Sequence, residues 1–311
     1  MKPRIDRDYH LPPYTVSFPT TAQSQEEVDW GLKLYGIPAL WRDTQGEGCR
    51  IAVLDSGAAQ HWALRAVVDR RNFSADTTTD DTVGHGTHVT GIICADAPPC
   101  KGVARKAEVH SLKVLDHNGA CSAMSVARAL NYAAAIECDF ACLSLGSRKP
   151  SDILHEAIRE ASDKGVTVVA AAGNDGGAVN YPAAWPETVA VGAVDRHGDI
   201  CPFSSRGEEI VCAAPGQDVK STWLAGGYAT VSGTSMAAPF VVGVLALYQG
   251  TLGRKLTPAE VINALQATSR DAGPEGRDDE YGYGLIDPHK LIKYKAASLG
   301  GVTVYLPEET T

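Results

Sequence analysis

The chain has 311 residues, with 28 Lys and Arg against 37 Asp and Glu, a formal net charge of −9. That balance gives no basic face for nucleic acid or an anionic membrane. Hydrophobic residues at 44% and charged residues at 21% supply a sizeable core and exclude disorder for the bulk of the chain.

No run of the sequence approaches the ~18 consecutive apolar residues of a membrane span. Residues 1–10 carry charges and no apolar secretory segment, from which a cytoplasmic protein is expected, with a secreted form left open. The eight cysteines, Cys49, Cys94, Cys100, Cys121, Cys138, Cys142, Cys201 and Cys212, are too sparse for a disulfide-stapled mini-fold and show no paired zinc spacing. Several sit inside apolar runs, where a free thiol acts as a small hydrophobe. Reduced core thiols are favoured, although an even count leaves disulfides open.

In chain order, residues 1–29 read as an extension. They hold Pro3, Pro12, Pro13 and Pro19, then a Thr/Gln/Ser/Glu stretch to Glu27. Apolar patterning begins at Trp30 and opens one domain over 30–295, with 296–311 as a tail. Within it, short continuous apolar runs read as buried strands, at 51–54, 109–115, 141–145, 166–171, 189–194 and 210–213. Helical stretches fall between and after them, at 87–95, 122–135, 153–164 and 236–250. A last helix is announced by Thr257-Pro258-Ala259-Glu260, a capping box with proline at its first position. Continuous rather than alternating apolarity predicts an α/β fold, a mostly parallel twisted sheet with helices on both faces.

Four loops hold residues suited to chemistry. Asp55 ends the run Val53-Leu54-Asp55-Ser56-Gly57, where open α/β sheets deliver functional groups; alone it reads equally as a turn cap. In Gly84-His85-Gly86-Thr87-His88, the glycines permit close backbone approach and His85 stands at the mouth of a helix. His88 reads as a packed core histidine, since no Glu lies between the two as in H-E-x-x-H. Ala170-Ala171-Ala172-Gly173-Asn174 ends a strand on a carboxamide that could donate to a developing oxyanion, or simply occupy a left-handed turn. In Ser232-Gly233-Thr234-Ser235-Met236-Ala237-Ala238-Pro239 a serine is held at a helix amino end, where negative charge is favoured; read alone it is also a helix N-cap. No G-x-S-x-G elbow, G-x-G-x-x-G or P-loop pattern occurs.

Taken together, the order Asp, His, Asn, Ser resembles the subtilisin-like serine proteases over about 41–268. The resemblance implies Ser235 as nucleophile, His85 as general base and then acid, and Asp55 as the group fixing the His85 tautomer. It implies an oxyanion hole from the Asn174 amide and the Ser235 backbone N–H. Ser144, Leu145 and Gly146, with Ala171, Ala172 and Gly173, would flank the specificity pocket and pair with substrate, and residues 118–121 would form a second edge. A broad endopeptidase of peptide or protein substrates, preferring a large apolar residue before the cut, is the expectation. No cofactor is implied for the chemistry, and no nucleic-acid or membrane partner.

The chain departs from the family pattern in two places. Where many subtilisins have His-Pro-Asp-Leu, a segment that helps bind calcium, it has His61-Trp62-Ala63-Leu64, and only a short loop around Asp96 stands for the companion calcium loop. A weaker second site often uses an Asp where Val211 stands. Two common calcium sites are therefore expected to be lost, and no metal site is assigned. Intracellular subtilisins carry a short Leu-Ile-Pro-Tyr-like extension across the active site, and Leu11-Pro12-Pro13-Tyr14 looks similar. That resemblance implies an autoinhibitory arm, removed when a zymogen is processed; a solvated Pro-rich tail is the alternative. A catalytically silent peptide-binding relative is the remaining rival.

Overall fold

The computed structural model describes residues 7–18, 28–299 and 302–306. The stretch from Pro19 to Glu27 and residues 307–311 lie outside the described residues. Seven parallel strands form the central sheet: β1 Arg50–Asp55, β2 Val67–Asn72, β3 Glu108–Lys113, β4 Phe140–Leu143, β5 Thr167–Ala171, β6 Thr188–Val194 and β7 Ile210–Pro215. Their order across the sheet is β7-β6-β5-β4-β1-β3-β2. Ile51 and Val53 of β1 point into one core with Val169 and Val191, whereas Ala52 and Leu54 point into the other with Val168 and Ala190. Both parities are buried, which is why these strands read as unbroken apolar runs.

Helices α1 His85–Cys94 and α4 Thr234–Leu252 pack in the first core, and α2 Ala123–Ala135 and α3 Asp152–Asp163 in the second. Helix α5, Pro258–Thr268, begins with the expected capping box: Thr257 Oγ1 accepts from Glu260 N, and the Glu260 carboxylate accepts from Thr257 N. Helix α4 is long and apolar enough to cross a membrane by length and composition, but its apolar surface is buried within the protein.

Three elements depart from the sequence reading. Strand β2, with sequence Val-Val-Asp-Arg-Arg-Asn, lies at the sheet edge with one side toward solvent, so it shows no apolar run. An antiparallel pair, Val219–Thr222 with Tyr228–Ser232, stands outside the main sheet. Helix α4 starts at Thr234 behind an extended Gly233 cap, so Ser235 lies inside the first turn and is not the N-cap. All eight cysteines are free and buried. Burial pushes the Cys49, Cys94, Cys100, Cys138, Cys201 and Cys212 thiols up to about 12, which leaves them protonated and inert.

Candidate active site

The end of β1 and the start of α1 meet through Asp55 and His85. His85 Nδ1 lies 2.9 and 3.0 Å from the two Asp55 carboxylate oxygens, and both side chains are fully buried. Asp55 Oδ1 also accepts from Ser56 N at 2.7 Å, and Lys113 Nζ, buried below, donates to Ser56 O at 2.8 Å. The flanking glycines are required sterically. A Cβ on Gly84, which has φ of 99°, would stand 2.5 Å from the Trp223 ring, and one on Gly86 would stand 2.2 Å from Gly57 O.

Behind His85, Asp81 collects five hydrogen bonds, from Ser56 Oγ, Val83 N, Gly84 N, Thr87 N and Thr87 Oγ1 at 2.7–2.9 Å. Ser56 Oγ and Thr87 Oγ1 in turn accept from Gly86 N and Ala59 N. Sequence reasoning passed over Asp81, because an acid in a polar Thr/Asp run looks solvated. His88 is the packed histidine the pattern suggested. Its Nε2 faces the carbonyls of Val219 and Ala229 at 3.1 Å, and burial, then the neighbouring His85, pulls its pKa down to about 3.

Asn174 follows Gly173, and the left-handed φ of 121° falls on the glycine. Asn174 Oδ1 accepts from Thr234 N at 2.8 Å and Thr234 Oγ1 at 2.7 Å. That fixes the amide so that Nδ2 points into the groove. Ser235 sits one residue on, completely buried. Pro239 has no N–H to give the Ser235 carbonyl its helical partner, and Ser144 Oγ supplies the bond instead, at 2.9 Å.

Residues 9–18 run through this groove. Tyr9–His10 pairs antiparallel with Ala120–Cys121, and Leu11 N donates to Gly119 O at 2.9 Å. On the other side His10 and Gly146 exchange both backbone hydrogen bonds, at 3.2 and 3.0 Å. Tyr9 is wholly buried, and its hydroxyl has no hydrogen-bond partner among the described residues. Pro13 O accepts from Asn174 Nδ2 at 2.8 Å, and the Tyr14 ring lies over His85 with centroids 5.0 Å apart. Thr15–Ser17 then pairs with Tyr228–Ser232, the strand that leads into Ser235.

Two consequences follow for Ser235 and His85. Pro12 and Pro13 have no N–H, so neither can donate to the Ser144 carbonyl, the next groove acceptor beyond Gly146. Ser235 Oγ donates to that carbonyl, at 3.4 Å, and His85 Nε2 has no hydrogen-bond partner among the described residues. Ser235 Oγ is thus hydrogen-bonded to Ser144 and not to His85 Nε2.

The groove edges expected at 118–121 and at Gly146 pair with this segment. The stretch Ala171–Gly173 does not: Ala172 N donates to Val191 O and Ala172 O accepts from Asn180 N. The next residue, Asn174, lines a cavity of about 450 Å³ together with Pro12, Pro13, Gly146 and Asn180, among others. The Asn180 side chain, which sequence reasoning missed, stands against both Gly146 and Gly173. Arg148 Nε binds Asp175 Oδ2 at 2.8 Å on the cavity wall.

No group of three or more His, Cys, Asp or Glu side chains able to hold a metal occurs among the described residues. The Asp96 carboxylate is engaged by Lys101 at 3.1 Å and Arg105 at 2.9 Å. His61 accepts from Ala63 N through Nδ1 and meets Gly227 O through Nε2.

A sequence model of the subtilase family matches residues 46–284. The minor extracellular protease Epr of Bacillus subtilis is 37% identical over 275 residues, covering 86% of this chain and 42% of that one. Subtilisin Savinase of Lederbergia lenta is 37% identical over 266 residues, 84% of this chain and 97% of the relative. An intracellular serine protease of Paenibacillus polymyxa is 36% identical over 282 residues, 84% and 85% respectively. With an all-parallel seven-stranded sheet carrying the Asp, His, Asn and Ser loops in this order, the chain belongs to the subtilase family of subtilisin-like serine endopeptidases.

Proposed function

We propose that the chain hydrolyses peptide bonds by acyl transfer at Ser235. The observation that carries this reading is the Asn174 Nδ2 bond to the Pro13 carbonyl: a peptide carbonyl already rests against the donor an oxyanion would need. With the groove open, Ser235 Oγ turns to His85 Nε2, which takes its proton as the oxygen attacks the substrate carbonyl. Asn174 and the Ser235 backbone N–H stabilise the oxyanion. His85 returns the proton to the leaving amine as the C–N bond breaks, and water hydrolyses the acyl-enzyme by the same steps. Asp55 holds the Nδ1–H tautomer and the transient imidazolium. No cofactor takes part, and no calcium requirement is assigned, in keeping with the pairing of Asp96 to two cations.

The segment Leu11-Pro12-Pro13-Tyr14 is read as an inhibitory arm of a zymogen, part of an extension over 1–29 that precedes a catalytic domain at 30–295 and a tail at 296–311. It covers His85, occupies Asn174, and leaves Ser235 hydrogen-bonded elsewhere. A substrate with an N–H where Pro12 lies would take the Ser144 carbonyl and release the serine. Substrates bind as an added strand, with broad selectivity and apolar residues favoured on the acyl side, as the burial of Tyr9 suggests; Asn180 adds a polar wall nearer the nucleophile. Eight buried, unpaired thiols favour a reducing, cytoplasmic compartment.

The test is labelling of the full chain and of a chain lacking residues 1–20 with a fluorophosphonate. Labelling that is slow in the first, fast in the second and abolished by Ser235→Ala is expected. Equal initial labelling of the two chains removes the inhibitory role, and no labelling of either removes the protease assignment.

A further inference from the structure

Arg7, two residues before the buried Tyr9, reaches Asp116 with Nη2 at 3.1 Å from Oδ2. Asp116 lies directly before the loop that forms one edge of the groove, and its side chain is only 3% exposed. Its other oxygen, Oδ1, accepts from Asn118 N at 2.9 Å and Ala120 N at 3.2 Å, holding that edge in shape. The division of labour within one carboxylate is clear. Oδ1 serves the loop, whereas Oδ2 meets a cation carried in by the segment lying in the groove. A carboxylate this deeply buried is costly to leave unpaired, so withdrawal of the arm creates a demand for a replacement donor.

From this we infer that Asp116 is a specificity-determining residue, and that it selects substrates with a basic residue, Arg above all, two positions before the residue buried where Tyr9 lies. The inference rests on the protease reading. The distance is set by the fold: Tyr9 pairs with Cys121 and is wholly buried, which fixes the register of any strand added here and so the reach of a side chain two residues earlier. Arginine fits better than lysine, because a planar guanidinium can meet a carboxylate with directed donors. Its contribution is moderate, since the Arg7 side chain remains 46% exposed.

The experiment uses the full-length chain and two fluorogenic peptides with tyrosine in the Tyr9 position. One carries arginine two residues earlier, and the other citrulline, which has the same shape without the charge. The arginine peptide is expected to show a kcat/KM about threefold to tenfold higher, through KM. In Asp116→Asn, which keeps an oxygen acceptor for the loop, the ratio between the two peptides falls to near one, whatever the variant's absolute rates. Equal kcat/KM for the two peptides in the parent enzyme overturns the inference, and this comparison decides alone if the variant does not fold. A preference that survives Asp116→Asn overturns it as well. If neither peptide is cleaved and Ser235 also resists a fluorophosphonate, the protease reading fails, and the inference with it.

Discussion

Around His85, one carboxylate gathers five hydrogen bonds from the residues that position the histidine, all but the Val83 one buried, and all close along the chain or on the facing strand end. Residues 9–18, which cover the same histidine, are held differently. Apart from Asn174 Nδ2 on the Pro13 carbonyl, their hydrogen-bond partners are backbone groups of the edge positions Gly119, Ala120, Cys121, Gly146 and Tyr228–Ser232, which an incoming strand could use equally well. None of the five bonds in the first region involves residues 9–18. On the proposed reading the second is an occupant that substrate displaces, with Tyr9 in a core pocket and Leu11, Tyr14 and Val16 only packed against the cores. Rigid machinery and a removable cover call for different hydrogen-bond partners, buried and private in one case, edge-exposed and generic in the other.

The largest effect expected in the rigid region is on rate. Asp55→Asn should lower kcat by about 10⁴-fold, because the carboxamide selects the wrong imidazole tautomer while leaving the fold intact. Single-turnover kinetics against unchanged thermal unfolding check this. Asp81→Ala should act on stability instead. It strands five donors, and we expect about 3–5 kcal/mol lost in urea unfolding, with Asp81→Asn in between. If Asp81→Ala is as stable as the parent, the contrast between the two regions collapses.

The same region should make stability depend on pH through His88. Its folded pKa is pulled down to about 3, so the folded state keeps it neutral where the unfolded chain takes up a proton near 6.5. The unfolded state therefore binds more protons below pH 6.5, and stability falls as pH drops from there toward about 3, by up to roughly 1.4 kcal/mol per pH unit. Above pH 6.5 this group contributes no slope. His61, whose pKa burial also lowers, adds in the same sense. Unfolding free energy measured between pH 8 and 5 should flatten in His88→Gln.

The sheet and the four loops were legible because each imposes a local demand. Strands covered on both faces must be apolar throughout, and His85 needs Gly84 and Gly86 beside it. What escaped the sequence depends on what lies across space. Strand β2 is an edge strand whose Asp69, Arg70 and Arg71 resemble a loop. Asp81 and Asp116 are acids beside other polar residues, and Asn180 is a lone amide between Val179 and Tyr181; each is distinguishable from a solvated residue only by its surroundings in space. The Leu11-Pro12-Pro13-Tyr14 stretch marked the arm, yet nothing in its composition showed that Tyr9 is buried or that Ser235 bonds to Ser144. Those are consequences of register and rotamer, which no local pattern encodes.

Tyr9 offers the finest test of how the cover is held. Its ring is completely buried among Cys121 and the apolar side chains of the second core, but its hydroxyl finds no partner among the described residues. Burial raises its pKa for the same reason, since the ionised form has no stabilising donor. A buried hydroxyl without a hydrogen bond costs about 1–3 kcal/mol relative to water, and an edge-held segment has few contacts to offset it. Tyr9→Phe should therefore bind the arm more tightly, slowing the initial rate of full-length chain by about fivefold or more, whereas Tyr9→Ala should raise that rate by emptying the pocket. Progress curves with a peptide substrate separate the two. A slower start for Tyr9→Phe shows that the arm is held by burial of the ring alone. Release by Tyr9→Phe would instead mean that the hydroxyl is satisfied in solution, by water, and that the pocket is wetter than its apolar lining implies.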